Sequence, residues 1–402
     1  MVRKRRALVI GGSMSGLLAA IMLMRRGWDV DVCERAEDEL AGRGAGIVAQ
    51  PELIARLKAL ELNTGDLGVA ITTRKIFGRD GRVSAVSECR QVLTAWERVY
   101  RILRDAFPPE RYHRARGLKT FSQGSDGVHA HFSDGSSARA DVLIGADGLR
   151  STVRQQCLPK IAPLYAGYVA WRALLSESDF PPAIHRELFM LMTFCLPPGE
   201  QCLGYPVAGP DNELRVGQRR YNVVWYRPAD EVNELPKLLT DKNGVAHSIS
   251  IPPPLIRAEP IAAMRAAAER LLAPQVREII RLIDEPILQP IYDLESPHLA
   301  FGRVAIVGDA AFVARPHVAA GVSKAADDAA ALAAALDGDD IESALRSFEA
   351  ARLPDNRKII ERARHLGAYL QATQTVEERA RSARHSIPEA VLAETAMIDF
   401  LH

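Results

Sequence analysis

Residues 6–35, RALVIGGSMSGLLAAIMLMRRGWDVDVCER, decide the fold. Residues 7–10 (ALVI) are a short apolar run of the kind that makes a buried strand. Gly11-Gly12-Ser13-Met14-Ser15-Gly16 follows at once, then an apolar helix over 14–26, then a second strand over 29–35. Leu17, Ala20, Ile21 and Met24 recur at helical spacing and share one face, and Gly27 suits the C-cap. Strand, tight turn, helix and strand in this order form the layout of a dinucleotide-binding βαβ unit. Gly11 permits the turn. The first helical N–H groups and the helix dipole face a pyrophosphate, and Gly16 lets the helix lie close to the strand. Ser13 stands where the fingerprint usually has its second glycine, which leaves a phosphate less room. Glu34, 18 residues after Gly16, ends the second strand with Arg35 beside it, and its carboxylate suits ribose hydroxyls. A loose glycine motif alone is weak, but this context favours nucleotide binding over a phosphate-free turn. It does not separate NAD from FAD.

The rest of the chain sets limits on function. Its 402 residues suffice for two or three domains and a large core. A formal net charge of +1 gives no electrostatic case for nucleic acid or an anionic membrane as partner. Five scattered cysteines with no CxxC argue against a disulfide framework or a zinc site and suit a reducing, cytoplasmic setting. The start, MVRKRR before an apolar run, has the look of a signal peptide, but the glycine–serine turn interrupts that run after four residues, so strand and helix explain it better. No other stretch is long and apolar enough to span a bilayer. The ten histidines form no ligand cluster with acids; His129 and His131 alternate on one face of a polar strand, so no metal is expected.

Later segments return to the opening theme. After the second strand, GRGAGIVAQPELI (42–54) is glycine-rich and turns helical from Pro51; Arg43 in this loop either reaches a phosphate or is solvated. Residues 66–92 read as strands with a turn at Asp80-Gly81. Residues 94–107 read as a helix whose Arg98, Arg101 and Arg104 share a face that is either solvated or laid over the nucleotide. Residues 117–140 read as hairpins. DVLIGADGLRSTVR (141–154) is a buried strand ending at Asp147-Gly148, and RVAIVGDA (303–310) another ending at Gly308-Asp309; strand ends of this type hold ligands in α/β sheets. Between them, residues 162–295 change character, with more aromatics and alternating runs such as YNVVWY (221–226), and helices around 262–283. The expected architecture is α/β. A Rossmann-like domain of residues 1–65, 93–161 and 296–350 is interrupted by a mainly antiparallel sheet domain of 66–92 and 162–295, and a helical segment of 351–402 follows.

The motifs GGSMSG with Glu34, GADGLRSTVR and GRVAIVGDAAFVARPHVAAGVSKAADDA, in this order, resemble those of the FAD-dependent aromatic hydroxylases of the para-hydroxybenzoate hydroxylase type, the class A flavoprotein monooxygenases. YAGYVAWRA (165–173), ERYH (110–113) and ARPHVAAGVSKAADDA are similar in particular to the 2,6-dihydroxypyridine 3-monooxygenase-like members. The resemblance covers the chain to about residue 355 and is thinner in the sheet domain. It implies a GR2-type FAD domain in which Ser13, Met14 and Ser15 cradle the pyrophosphate and Glu34 holds the adenosine ribose. Asp147-Gly148 serves both FAD and the passing NADH or NADPH, Asp309 holds the ribityl chain, and Pro316, Gly321, Val322 and Ser323 lie beside the isoalloxazine. The helix starting there aims its positive end at the flavin. Many relatives carry a glycine at Ser323 and a histidine at Phe312; Trp96 stands where many have an arginine, and that departure weakens a phosphate role for the helix that starts near residue 94.

The implied reaction is hydroxylation of a small electron-rich aromatic or N-heteroaromatic ring with NAD(P)H and O2, through a flavin hydroperoxide. The protein then has to bind a flat polar ring, exclude water and favour its ionised form. A base with a pKa near neutral suits that task, and His317, next to Pro316, is the first candidate, against a reading in which it bonds loop backbone. Tyr205 and Tyr226 either line the pocket or pack with satisfied hydroxyls. Arg172 either orients an anionic substrate or forms an ion pair. A halogenase or reductase on the same scaffold, and a non-catalytic flavin-binding partner protein, are the alternatives. The C-terminal helices offer a surface for a homodimer.

Overall fold

The computed structural model describes residues 4–40 and 46–401. Arg43 therefore lies outside the described residues. Three sheets organise the chain. In the first, strands Arg6–Ile10, Asp29–Cys33, Val142–Gly145 and Val304–Ile306 run parallel. The strand order is Val304–Ile306, Val142–Gly145, Arg6–Ile10, Asp29–Cys33, with Tyr112–His113 parallel at one edge and Ala300–Phe301 antiparallel at the other. Nearly every residue of these strands is buried, as a sheet covered on both faces demands. Helices Met14–Arg25 and Gly321–Ala335 pack against each other beside it, their Leu17, Leu18, Ala326, Ala329 and Leu332 in one core. All three strand ends named from the sequence thus come to the carboxyl edge of one parallel sheet.

The second sheet has nine strands and is antiparallel except where Met192–Cys195 pairs with Val69–Phe77. Its face is read directly from register. Ala170, Arg172 and Leu174 on Leu164–Ser176 stand beside Tyr226, Val224 and Asn222 on Arg220–Pro228, and these beside Gln201, Leu203 and Tyr205 on Gln201–Val207. The alternate residues, among them Val169, Trp171, Val223 and Trp225, face the other way into a core closed by helices Ala258–Leu271 and Pro274–Arg281. The sheet therefore has one face sealed by helices and one left to build a site. A separate three-stranded sheet (Leu118–Gly124, Gly127–Phe132, Ser137–Ala140) covers the hairpin region.

Several boundaries differ from the sequence reading. Strands Gly46–Val48 and Phe312–Val313, and the last residues of Val83–Ala95, were assigned to the nucleotide-binding part but pair within the nine-stranded sheet. Strands of two or three residues carry no usable periodicity, and their partners are distant in sequence. Thr94 and Ala95 stay in the strand opposite Ile47 and Gly46, so the arginine-bearing helix spans only Trp96–Ala106. The long C-terminal helix is Ile341–Gly367, starting before the boundary read at 351 and running through Pro354. Two further helices, Val376–His385 and Pro388–Glu394, bring the tail back onto the open face of the nine-stranded sheet, where Val391 and Leu392 join the core of Tyr205 and Tyr226.

Candidate active site

Two cavities meet at the carboxyl edge of the parallel sheet. The first, of about 270 Å3, is lined by Gly11, Ser13, Glu34, Arg35, Trp96, Asp147 and Gly148 among others. Gly11 holds φ +104° against the Ala146 carbonyl, an approach that a Cβ would block. Ser13 precedes helix Met14–Arg25 in extended conformation without capping it, and no acid lies in the first turn, so the helix N-terminus opens with unfilled donors and an uncompensated dipole. Glu34, 7 % exposed, accepts from the backbone N–H of Gly12 at 2.7 Å and of Ala36 at 2.9 Å, which fixes its carboxylate at the rim with acceptor capacity to spare. Asp147 binds the start of helix Thr152–Cys157, accepting from the Ser151 hydroxyl and from the Thr152 N–H at 2.7 Å; burial raises its pKa while these donors pull it back.

The remaining motif residues serve the frame. Gly12 backs onto Tyr112, whose hydroxyl donates to the Gly12 carbonyl at 3.0 Å; Met14 is in the core; Gly16 touches the Gly11 carbonyl. Ser15 fills the space over Gly308, which at φ +59° has no room for a side chain there. Arg98, Arg101 and Arg104 do not line this cavity. Arg98 reaches Gly65, Arg101 pairs with Glu97, and Arg104 lies 4.2 Å over the Tyr112 ring, so the helix presents Trp96 instead. Of the two readings of this arginine face, the one that lays it over the nucleotide does not hold. The arginines find acids, carbonyls and a ring nearer at hand.

The second cavity, of about 290 Å3, lies between the open face of the nine-stranded sheet and residues 313–322. Leu149, one residue past Gly148, lines it, so the two cavities adjoin along residues 147–149. Asp309, Pro316, His317, Gly321 and Val322 contribute from one side, and Arg172, Tyr205 and Tyr226 from the other. Asp309 is exposed into this space; the surrounding protein raises its pKa, and nearby Lys324 opposes the rise. Ala319, at φ +48°, turns the chain into helix Gly321–Ala335, which carries no acid in its first turn. Ser323 faces away, into a groove between this helix, Pro51–Ala59 and Ile341–Gly367, so its side chain does not join Gly321 and Val322.

His317 requires a correction. It is 3 % exposed, its Nε2 lies 2.8 Å from the Tyr168 hydroxyl, and its ring sits 4.6 Å from that of Tyr226. Desolvation, with the Arg315 guanidinium adding to it, lowers its pKa to about 3. The imidazole is neutral at physiological pH and does not titrate near neutrality. Tyr205 donates to the Gly46 carbonyl at 3.0 Å and is pushed up to about 12 by burial, so its hydroxyl braces the strand Gly46–Val48. Arg172 donates to Gln289 Oε1 at 2.8 Å, its Nε has no partner, and it forms no ion pair among the described residues.

Sequence reasoning missed the supports. Arg154, 1 % exposed, donates to the carbonyls of Ala310 (3.0 Å) and Leu149 and ties the second motif to the third. Asp328 is fully buried and accepts from the Gly308 N–H (3.2 Å), Arg352 (2.9 Å) and Asn356 (3.1 Å), with Lys324 Nζ 3.5 Å away. The one signal was an acid at an inward position of an alanine-rich helix. Among the described residues no His, Cys, Asp and Glu grouping suits a metal ion, and no helix is long and apolar enough to cross a membrane.

Known proteins share this arrangement. Residues 4–162 match the FAD binding domain family and residues 165–293 the FAD binding domain-like family. The chain is 33 % identical over 369 residues to 2,6-dihydroxypyridine 3-monooxygenase of Paenarthrobacter nicotinovorans, covering 91 % of each. It is 29 % identical to 3-amino-4-hydroxybenzoate 2-monooxygenase of Streptomyces cremeus, covering 90 % of this chain and 87 % of that one. The solved structure of 2,6-dihydroxypyridine-3-hydroxylase from Arthrobacter nicotinovorans superposes with a TM-score of 0.87 at 32 % identity, over 93 % of this chain and 94 % of that one. An uncapped helix N-terminus beside a carboxylate at a strand end, adjoining a cavity walled by an aromatic sheet face, fits FAD. The chain belongs to the class A flavoprotein monooxygenases, the FAD-dependent aromatic hydroxylases that use NAD(P)H and O2.

Proposed function

We propose that this monooxygenase hydroxylates a small, electron-rich aromatic or N-heteroaromatic ring, hydroxypyridine-like or phenolic, whose anionic or strongly polar substituent meets Arg172. One observation carries the reading: the partly exposed Arg172 side chain lines the cavity with Gln289 Oε1 as its partner and no acid beside it among the described residues, on a wall shared with Tyr205, Tyr226 and the 313–322 loop. Leaving such a cation without a counter-charge costs free energy that a ring oxyanion or carboxylate offsets. Bound FAD, once reduced by NADH or NADPH, supplies the activated oxygen. The chain's own residues do the rest. Ser13 and the amides after it hold the pyrophosphate, Glu34 the ribose, and Asp147, Gly148 and Asp309 the stretch between the two cavities. Pro316, Gly321 and Val322 border the ring system, and the buried sheet face keeps water from it. Arg43 remains part of the phosphate-side proposal from its place in the sequence. Neutral His317, fixed by Tyr168, serves as a hydrogen-bonding wall of the cavity, not as a titrating base.

The purified protein tests this directly. A yellow preparation should consume NAD(P)H faster with 2,6-dihydroxypyridine or a hydroxybenzoate present and yield a product heavier by one oxygen. Bound flavin that no aromatic accelerates in reduction would sink the reading. Five free cysteines accord with a cytoplasmic location, and a homodimer through the C-terminal helices, checked by light scattering, completes the proposal.

A further inference from the structure

The tail closes the substrate cavity, and its fastening is unusual. Arg74, on the strand Val69–Phe77, is fully buried yet meets no carboxylate among the described residues. Its Nη1 donates to the carbonyls of Leu392 (2.7 Å) and Thr395 (2.9 Å), at the C-terminal end of helix Pro388–Glu394. Nη2 and Nε bind Gln91 Oε1 at 2.6 and 3.2 Å, and Nη2 also reaches Met397 Sδ. A cation at a helix C-terminus satisfies orphan carbonyls and the negative end of the dipole at once. One residue on, Ala396 adopts φ +58°, a left-handed conformation that a non-glycine residue holds only when fixed from outside. Three contacts fix it. Its N–H donates to the His317 carbonyl at 2.7 Å, and its carbonyl accepts from Gln50 (3.1 Å) and Gln91 (3.2 Å). Thr395 and Ala396 line the same cavity as Tyr205, Tyr226 and Arg172. Thr395 is 7 % exposed, and its hydroxyl has no partner among the described residues.

We propose that residues 392–397 are a wall of the substrate cavity, clamped by Arg74, Gln91 and Gln50, and that Thr395 is a specificity-determining residue whose hydroxyl bonds a polar substituent of the ring. This rests on the aromatic substrate class proposed above. The clamp directs three hydrogen bonds from Arg74 and Gln91 to backbone carbonyls of one short segment, and Arg74 also holds the Gln91 amide oxygen, which is a positioning arrangement and not a stray packing contact. It also couples the wall to the 316–318 turn, since the Ala396 N–H holds the carbonyl of His317.

Two variants of the FAD-loaded protein test it. Thr395→Val keeps the shape and removes the hydroxyl. It should raise the Kd of 2,6-dihydroxypyridine, read from the absorbance change of bound flavin, about 5-fold, while FAD content and thermal midpoint stay at wild-type values. Arg74→Met unfastens the tail. Trypsin should then cut faster within helix Val376–His385, and iodide should quench the bound flavin's fluorescence more strongly than in wild type. A Kd for Thr395→Val within twofold of wild type overturns the specificity role. Unchanged quenching in Arg74→Met despite a trypsin-released tail overturns the wall. Should wild type fail to bind 2,6-dihydroxypyridine, the substrate class fails, and the quenching of Arg74→Met alone decides the wall: a rise sustains it, no change overturns it.

Discussion

His317 is enclosed by Tyr168 and Tyr226, and its burial, together with the Arg315 guanidinium, disfavours a second proton on its ring. The sign of the consequence is fixed by linkage. Between the unfolded pKa of about 6.5 and the folded value of about 3, the unfolded chain binds the proton and the folded one does not, so this residue makes stability fall as pH drops through that window. The expected outcome is a thermal midpoint that declines from pH 6.5 to 4, with a shallower decline in His317→Gln. The pH profile of hydroxylation should keep its shape in that variant, because the imidazole is neutral throughout the working range. A lost acidic limb would restore His317 as the titrating base. Arg172 has the opposite exposure, lining the cavity partly exposed with no acid partner among the described residues. Arg172→Met should weaken binding of a hydroxybenzoate about 10- to 100-fold and that of the matching uncharged phenol far less, since only the former loses a charge-assisted hydrogen bond. Equal losses for both ligands, measured by equilibrium titration, would assign Arg172 to packing.

Among the elements, helix Gly321–Ala335 carries most of the linkage between motifs. Its Asp328 receives the Gly308 amide from the third strand end and Arg352 and Asn356 from helix Ile341–Gly367, while Lys324, one turn earlier, lies near both Asp328 and Asp309. A buried carboxylate shared by two cations is costly to remove alone, because the cations stay behind. Asp328→Asn should lower the unfolding free energy in denaturant titration by about 3 kcal/mol. Asp327→Asn, one residue away on a pair with the half-exposed Arg56, should cost well under 1 kcal/mol. Similar losses for the two would refute the hub. These elements were unevenly legible. Strands such as 142–145 announce themselves as apolar runs that end in glycine and aspartate, so the parallel sheet and its three glycine-bearing strand ends were readable from residues alone. Gly46–Val48 and Phe312–Val313 were not, because their identity as strands lies in partners far along the chain. Nothing in ITTRKIF marks Arg74, because the carbonyls it binds, those of Leu392 and Thr395, come from the far end of the chain.

At the scale of the whole molecule, the two cavities adjoin across residues 147–149, and a ligand spanning both touches the parallel sheet and the nine-stranded sheet together. The family resemblance supplied that ligand's identity, since glycine spacing at 11–16 alone left NAD and FAD equally open. The residue assignments then rest on where the fold places each group. Glu34 stands at the rim of the first cavity with spare acceptor capacity, and Asp309 opens into the second, where the protein around it raises its pKa. Losing Glu34 removes hydrogen bonds at one end of the ligand. On the proposed assignment, losing Asp309 removes an acceptor near the middle of that ligand, at the junction of the two cavities. Purified Glu34→Ala should retain less FAD than wild type, read as the ratio of 450 to 280 nm absorbance, with near-native circular dichroism. Asp309→Ala should retain less still, and Asp309→Asn should recover part of the difference by keeping an acceptor. Because FAD binds the folded chain alone, each loss should also lower the thermal midpoint, and added FAD should restore it in proportion to the logarithm of its concentration. A fully flavinated Glu34→Ala would remove the ribose assignment; a midpoint unmoved by FAD would show that the cofactor does not span the two sheets.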